Sequence, residues 1–317
     1  MKILAVVSGG DAPGINAALW HFSRIAAAHG DMLVGADGGF PAAVNAPHVS
    51  LTPRILAPHV SLGGSFIASS REPVMRDPVA RQALAARLQS EGIDGIFLFG
   101  GDGTLKHLPS ILNEMGVACI ALPTTIDNDV AATDRTLGFD SACNFAYASI
   151  DGAMATGRAL PGRIFTVETL GGGTGHLALA IGYAVGAHAV LAPEIPFELD
   201  WLADRVRSAL SADGYALVVH SEGVPQSREL PALISERVGV RVRDVHLGHA
   251  QRGGSPTHLD RALAASWATA AYQAFASGTR RGTLLEQRGA HVLFEGDLNT
   301  FPAPSIDRTH YDQINGL

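Results

Sequence analysis

Two glycine-rich segments that each carry one aspartate follow directly after apolar stretches of the chain. Residues 8–14 (SGGDAPG) lie between an apolar strand and a helix, and residues 100–104 (GGDGT) follow a second apolar strand. Glycines allow backbone N–H groups to close on a phosphate, and Asp102 offers a carboxylate that Mg²⁺ accepts beside phosphate oxygens. Each segment alone is equally compatible with a tight turn. Together they favour a phosphate site with a metal ion.

A third segment, residues 123–129 (PTTIDND), places two carboxylates two residues apart after a predicted strand. In an extended segment Asp127 and Asp129 face the same side. One carboxylate can then accept the proton of an attacking hydroxyl while the other orients metal-bound water. The ordinary pKa of Asp, about 3.9, leaves both ionised at neutral pH. The alternative for this segment alone is an Asx turn with solvated charges.

The fourth segment is basic and also contains paired glycines. Residues 246–256 (HLGHAQRGGSP) follow Arg241 and Arg243. Guanidinium groups bind two phosphate oxygens at once, so this composition suits a sugar phosphate. A zinc site at His246 and His249 is disfavoured because no third ligand is evident. Without further context, an exposed basic loop is the simpler interpretation.

Short Val-, Ile- and Leu-rich runs alternate with segments of helical period, which predicts an α/β fold with parallel sheets covered by helices. The predicted strands are residues 2–8, 93–99, 118–122, 164–169, 189–191 and 216–220. The predicted helices are residues 15–28, 142–155, 176–185, 202–210 and 259–276. Ligands gather at the carboxyl ends of the strands in such sheets. A lobe boundary is expected near Phe139.

Composition excludes several classes of function. The net charge of −7 and the absence of a Lys/Arg run argue against nucleic-acid binding over a wide surface. No apolar run is long enough to span a membrane. Cys119 and Cys143 lie in apolar segments, as expected for a reducing compartment. No dinucleotide fingerprint follows a strand, which disfavours an oxidoreductase. We expect a cytoplasmic protein.

The four segments, in this order, resemble the motifs of the phosphofructokinase family across nearly the whole chain. The GGDGT motif also resembles NAD kinases and lipid kinases, whereas TIDND together with HxQRGG is specific. The resemblance implies a phosphofructokinase fold with two Rossmann-like lobes and largely parallel sheets. Residues 1–139 plus roughly 251–300 would form the donor lobe, and residues 140–250 plus the C-terminal tail the sugar-phosphate lobe. It also implies a homotetramer or homodimer with shared active sites.

The resemblance assigns roles to individual residues. Asp127 would take the proton of the sugar's 1-hydroxyl, Asp129 would support it, and Arg71 would steady the transferred phosphoryl group. The implied donor-binding residues are Gly10, Arg71, Gly101, Asp102, Gly103 and Thr104, with Asp102 as the Mg²⁺ ligand. The implied sugar-phosphate residues are Thr125, Ile126, Asp127, Arg163, Leu170, Gly171, Gly172, Glu222, Arg243, His249 and Arg252. Arg163 and Arg243 would serve a neighbouring subunit.

The chain departs from the family pattern where a Met-Gly-Arg stretch is usual, because residues 170–172 are Leu-Gly-Gly. One arginine near the phosphates is therefore missing, which typically costs about 1.5–3 kcal/mol unless another cation replaces it. Lys106 is a candidate replacement by proximity to the donor loop. Gly103 is the family's sign of ATP use, whereas Thr124 matches neither the glycine of ATP enzymes nor the lysine of pyrophosphate enzymes.

The expected activity is ATP-dependent phosphorylation of fructose 6-phosphate at its 1-hydroxyl, giving fructose 1,6-bisphosphate in glycolysis. Three alternatives stay open from the sequence. The donor could be pyrophosphate, the acceptor could be another ketose phosphate such as tagatose or sedoheptulose phosphate, or the protein could bind a sugar phosphate without catalysis. The complete set of Asp102, Asp127 and Asp129 argues against the last.

Overall fold

The computed structural model describes all 317 residues, and strands alternate with helices along most of the chain. The strands are β1 Lys2–Ser8, β2 Met32–Gly35, β3 Val49–Ser50, β4 Gly95–Gly100, β5 Cys119–Thr125, β6 Leu137–Gly138, β7 Arg163–Thr169, β8 Ala189–Leu191, β9 Tyr215–Ser221, β10 Val242–His246, β11 Arg281–Gln287 and β12 Ala290–Phe294. The helices are α1 Ile15–Ala28, α2 Gly39–Asn45, α3 Pro53–Leu56, α4 Pro78–Ser90, α5 Asp102–Leu105, α6 Leu108–Glu114, α7 Phe139–Ala159, α8 His176–Val185, α9 Leu199–Asp213, α10 Leu230–Val238, α11 His258–Ala276 and α12 Arg308–Asn315. Four 3-10 helices span Ala57–His59, Val74–Arg76, Gly248–Arg252 and Leu298–Thr300. No helix has the length and apolar character needed to cross a membrane.

The first of two compact units comprises residues 1–140 and 252–304. Its eight-stranded sheet has the order β12-β11-β5-β4-β1-β2-β3, with β6 beside β5. The central pairs are parallel, and only β2–β3 and β11–β12 are antiparallel. This arrangement buries the central strands on both faces, as their continuous apolar sequences require.

Alternate residues of the central strands pack into two different hydrophobic cores, one on each face of this sheet. Ile3, Ala5 and Val7 pack into one core, whereas Leu4 and Val6 pack into the other. This is the period of two that a strand imposes on its side chains. On the first face α1 packs against α11, so the predicted helices at both ends of this unit cover the same side of the sheet.

The second unit comprises residues 141–251 and 305–317. Its four-stranded sheet is entirely parallel, in the order β10-β7-β9-β8. The C-terminal helix α12 completes its edge, because the side-chain amide of Asn315 takes the place of a neighbouring strand. Asn315 Oδ1 accepts from the N–H of Val190 at 3.0 Å, and its Nδ2 donates to the Val190 carbonyl at 3.0 Å.

Several elements match the sequence-based expectation to the residue, namely β1, β8, α1 and α8. The predicted strand 118–122 was too short, because β5 continues through Thr125, where its last two residues pair with β6. The predicted helix 142–155 was also too short, since α7 runs from Phe139 to Ala159. The basic stretch before His246 was not expected to be a strand, yet it forms the sheet-edge strand β10.

Replacing Asn315 with Leu should destabilise the protein. The substitution leaves the buried N–H and carbonyl of Val190 without partners, and each unpaired group costs about 1–3 kcal/mol. Urea unfolding should show a lower midpoint. Arg308→Gln in the same helix is the matched control, because it removes an exposed ion pair with Asp312 and a cation–π contact with Tyr311, each worth about 0–1 kcal/mol at an exposed site. Equal midpoints for the two variants would contradict the role of Asn315.

Candidate active site

The three acidic segments meet at one edge of the large sheet because they follow three neighbouring parallel strands. Ser8 at the end of β1 is in register with Gly100 of β4, which in turn is in register with Pro123 of β5. The loops that leave these strands therefore lie side by side. They line a cavity of about 570 Å³ whose walls all belong to the first unit.

The first loop is fixed against the segment that carries Arg71. Gly9 has a φ of 102°, which favours glycine. Its N–H donates to the Ser70 carbonyl at 3.0 Å, and the Ser69 hydroxyl donates to the Gly9 carbonyl at 3.0 Å. These bonds place Gly10 and Arg71 together in the cavity wall.

Thr104 ties the second loop to the first. Its hydroxyl donates to the Ser8 carbonyl at 3.1 Å. Its methyl group fills the space beside Gly100, where an added Cβ would lie only 2.3 Å from Thr104 Cγ2. A Cβ on Gly103 would meet no atom within 4 Å, so this side of the loop is open. The glycines of GGDGT thus serve two purposes, close packing at Gly100 and open space at Gly103.

The third loop turns sharply, which corrects the assumption that Asp127 and Asp129 lie in an extended segment. Asn128 between them has a φ of 53°, and its Oδ1 accepts from the N–H of Thr136 at 2.8 Å. The Thr136 hydroxyl donates to the Thr125 carbonyl at 2.7 Å. Both carboxylates nevertheless line the cavity, because the turn brings them there instead of strand alternation.

The cavity concentrates negative charge. Asp102, Asp127 and Asp129 all line it. Burial, followed by the negative charges of Asp127 and Asp102, raises the pKa of Asp129 to about 6. The Oδ1 of Asp129 is buried without a hydrogen-bond partner. Asp102 Oδ2 accepts a hydrogen bond from Lys106 Nζ at 2.7 Å, so Lys106 is held in an ion pair with Asp102.

These carboxylates fit a cation that takes most of its ligands from elsewhere. No group of three or more His, Cys, Asp or Glu side chains is arranged to hold a metal ion. Mg²⁺ usually binds one or two protein carboxylates and completes its shell with water and substrate phosphates. Asp102 and the unpartnered oxygen of Asp129 match that requirement, whereas they do not match a metal enclosed by protein ligands alone.

Three arginines line the same cavity as the carboxylates, Arg71, Arg76 and Arg252. The lining also includes apolar and other side chains that sequence reasoning had not singled out, namely Phe40, Met75, His107, Leu108 and Ile111. They come from α2, from the 3-10 helix at 74–76 and from the start of α6. No motif marks them, because each is an ordinary residue placed here by the fold.

The expected sugar-phosphate residues of the second unit form their own arrangement at the ends of β7 and β9. The N–H of Leu170 donates to Gln251 Oε1 at 2.8 Å, and the N–H of Gly172 donates to Glu222 Oε1 at 3.1 Å. Gly171 and Gly172 have φ values of 142° and 58°, so this loop needs its glycines. Glu222 is thereby held in place by the loop at residues 170–172, which was also expected to bind the sugar phosphate.

Basic residues cluster elsewhere in the second unit. Desolvation and the neighbouring positive charges of Arg163 and Arg241 lower the pKa of Arg243. His249 is exposed in the 3-10 helix at 248–252. Ile126, in the first unit, was also expected to contact substrate. Its side chain is fully buried and does not line the cavity.

Comparison with known proteins decides the family, because the model of the family described as phosphofructokinase matches residues 2–275. The chain belongs to the phosphofructokinase family. It is 36% identical to the ATP-dependent 6-phosphofructokinase of Persephonella marina over 286 residues, covering 88% of this chain and 87% of that protein. It is 32% identical to the ATP-dependent 6-phosphofructokinase of Aquifex aeolicus over 315 residues, covering 98% of each chain.

Solved structures agree with the phosphofructokinase fold. The Pichia pastoris phosphofructokinase in the T-state superimposes with a TM-score of 0.86 at 27% identity, and covers 95% of this chain. This chain spans only 35% of that longer protein. The pyrophosphate-dependent phosphofructokinase of Marinobacter aquaeolei has a TM-score of 0.83 at 21% identity over 99% of this chain and 91% of its own, a likeness of fold alone.

Asp129→Asn should stabilise this phosphofructokinase in magnesium-free buffer, and more at pH 8 than at pH 4.5. The folded-state pKa of about 6 lies above the ordinary value of 3.8, so the stabilising contribution is present below pH 3.8 and lost as the pH rises through 6. Asparagine avoids that loss. Thermal unfolding midpoints at both pH values test this, with Glu295→Gln as an exposed control. Equal shifts at both pH values would contradict it.

Proposed function

We propose that this phosphofructokinase transfers the γ-phosphoryl group of ATP to the 1-hydroxyl of fructose 6-phosphate, giving fructose 1,6-bisphosphate. The choice of ATP as the phosphoryl donor rests on the residues that line the cavity of the first unit. Its lining combines the glycine-rich loops and carboxylates with the apolar side chains of Phe40, Met75, Leu108 and Ile111. Pyrophosphate has no group that would use these apolar side chains, whereas the base and ribose of a nucleotide do.

Two details of the donor loops support ATP. Space is open beside Gly103, so a longer donor meets no side chain there. Thr124 is 1% exposed, and its hydroxyl donates to the Leu122 carbonyl at 3.0 Å. Its side chain therefore offers no positive charge and no free donor to a phosphate. Pyrophosphate enzymes carry a lysine at this position. Here Thr124 occupies it, and its hydroxyl is bonded to the backbone of its own strand.

The proposed chemistry begins with Asp127, whose carboxylate accepts the proton of the attacking 1-hydroxyl. The Thr125 hydroxyl accepts from the N–H of Asp127 at 3.1 Å and so fixes the start of the catalytic turn. The Arg71 guanidinium balances the charge that develops on the transferred group. Asp102, with the free oxygen of Asp129, would hold Mg²⁺, which neutralises donor phosphate oxygens when bound.

The sugar phosphate, which accepts the phosphoryl group, is proposed to bind mainly to residues of the second unit. Glu222, held by the N–H of Gly172, would bind a sugar hydroxyl, while Arg163, Arg243 and His249 would bind the 6-phosphate together with Arg252. Arg163 and Arg243 form a positive cluster at the sheet-edge strand β10 and its neighbour β7. In a homotetramer or homodimer this cluster would complete the site of a neighbouring subunit. A glycolytic role would place the enzyme in the cytoplasm.

Fructose 1,6-bisphosphate formation should depend on ATP and Mg²⁺. Purified enzyme is supplied with fructose 6-phosphate and either ATP or pyrophosphate, and product is measured by a coupled assay. We expect turnover with ATP and none with pyrophosphate. Turnover with pyrophosphate alone would overturn the donor assignment. Parallel reactions with tagatose 6-phosphate and sedoheptulose 7-phosphate test the acceptor, and faster turnover of either would overturn that assignment.

Asp127→Ser should reduce kcat by about 10²–10⁴-fold, the usual contribution of a general base. Sugar-phosphate binding, measured by calorimetry, should remain because the substitution leaves the second unit unchanged. Glu114→Gln, an exposed acid at the end of α6, is the control and should leave kcat unchanged. A kcat within threefold of wild type for Asp127→Ser would remove Asp127 from the mechanism.

A further inference from the structure

We propose that Asn16, in the first turn of α1, is a positioning residue for the sugar phosphate, because it holds the turn at residues 62–66 against the backbone of Arg252. The inference deepens the proposed function and rests on it, since Arg252 is there one of the residues that bind the 6-phosphate. Asn16 itself is 2% exposed and does not line the cavity that Arg252 lines. Its effect on the reaction therefore passes through Arg252 and not through contact with a substrate.

The side-chain amide of Asn16 satisfies three backbone groups of this turn. Its Nδ2 donates to the Leu62 carbonyl at 3.1 Å and to the Gly63 carbonyl at 3.4 Å, and its Oδ1 accepts from the N–H of Phe66 at 2.6 Å. Residues 62–69 belong to no helix or strand, so the groups of this turn have no regular ladder of hydrogen bonds. A buried amide that is used at both ends fixes the shape of the turn.

The turn packs directly on the backbone of the fourth sequence segment, at and just after Arg252. A Cβ built on Gly63 would lie 2.3 Å from the carbonyl oxygen of Gly254 and 2.5 Å from that of Gly253. The N–H of Gly64, whose φ is 68°, donates to the Arg252 carbonyl at 3.3 Å. Glycine is thus required twice, at Gly63 by the close approach and at Gly64 by the left-handed backbone.

The guanidinium of Arg252 is anchored to the loop that leads into α1. Its Nη1 donates to the Asp11 carbonyl at 3.2 Å, and Asn16 is the second residue of the helix that follows. One short part of the chain therefore holds the guanidinium through Asp11 and the main chain of Arg252 through Asn16 and the turn. A guanidinium that binds a phosphate in two places needs both its position and its direction fixed. A shift of the main chain of Arg252 would change that direction.

Other hydrogen bonds of the turn are local. The Ser65 hydroxyl donates to the Ile67 carbonyl at 2.7 Å, and the N–H of Leu62 donates to the His59 carbonyl at 2.9 Å. These bonds join neighbouring parts of one segment, so they support its shape without fixing its place in the protein. Asn16 joins the segment to α1, and its bonds are therefore the ones whose loss should move the turn.

Arg71, which the same segment carries beyond the turn, has separate support. The N–H of Gly9 donates to the Ser70 carbonyl at 3.0 Å, and the Ser69 hydroxyl donates to the Gly9 carbonyl at 3.0 Å. These bonds do not involve Asn16. Loss of the Asn16 amide should therefore disturb Arg252 more than Arg71, and its effect should appear on the sugar phosphate and not on the donor.

The test measures kcat and the KM values for fructose 6-phosphate and ATP in Asn16→Ala, Arg252→Ala and the double variant. We expect Asn16→Ala to raise the KM for fructose 6-phosphate at least fivefold, with the KM for ATP and kcat within threefold of wild type. In the Arg252→Ala background the same substitution should change the KM for fructose 6-phosphate less than twofold, because the two residues act as one unit.

Ser23→Ala is the matched control. Ser23 is another buried polar residue of α1, 3% exposed, but its hydroxyl donates to the Trp20 carbonyl within the same helix at 2.8 Å. All three kinetic constants should stay within twofold of wild type in this variant, which separates loss of the Asn16 contact from loss of any buried polar group in the helix.

An equal rise of the KM for fructose 6-phosphate in both backgrounds would overturn the proposal, because Asn16 would then act independently of Arg252. A KM within twofold of wild type in Asn16→Ala would also overturn it. Should Asn16→Ala fail to fold, Gly63→Ala gives the same readout, because its Cβ would meet the Gly254 carbonyl and push the turn away from Arg252.

Hydrogen exchange of the Gly64 amide separates this inference from the proposed function, because it needs no substrate. We expect exchange at least tenfold faster in Asn16→Ala and an unchanged rate in Ser23→Ala. An unchanged rate in Asn16→Ala would overturn the positioning role. Absence of wild-type turnover, or an unchanged KM for fructose 6-phosphate in Arg252→Ala, would instead count against the proposed function, and the exchange rates would still decide whether Asn16 holds the turn on Arg252.

Discussion

Close approach of backbone at the carboxyl ends of β1 and β4 is the constraint on which the active site depends. The proposed binding of phosphate by these loops requires that no side chain stand between them and the cavity. Thr104 fills the space beside Gly100, and Arg252 fills the space above Gly10. The glycines are therefore positions where a neighbouring side chain already occupies the volume of a Cβ, and they let one compact edge hold both loops and their charges.

This edge holds charge at a cost to stability. Asp129 is buried near two other carboxylates, which raises its pKa, and the guanidiniums of Arg71 and Arg252 both lie beside Gly10. An arrangement of like charges is unfavourable until a ligand supplies the opposite charge. A donor phosphate with Mg²⁺ would do so, since Asp102 and Asp129 would hold the metal ion and Arg71 would bind the phosphate. The candidate site is thus suited to a ligand that carries both charges.

Sequence reasoning located the parts of the site that local pattern determines. β1 and α1 were predicted to the residue because an apolar run and a helical period are complete within each. The turn at Asp127 was predicted wrongly as extended, because the left-handed conformation of Asn128 depends on Thr136, eight residues later. The apolar side chains that line the cavity were not predicted, since they come from separate elements. The contact between Arg252 and Asp11 spans 241 positions, and no spacing rule reports it.

The most direct test of this account is a crystal structure with Mg²⁺ and a non-hydrolysable ATP analogue. The account predicts the γ-phosphate beside Gly10, within hydrogen-bond distance of the guanidinium of Arg71, with Mg²⁺ on the side of Asp102. The base should lie against Phe40 and Leu108. A triphosphate bound away from the β1 and β4 loops, or a γ-phosphate without contact to Arg71, would contradict it.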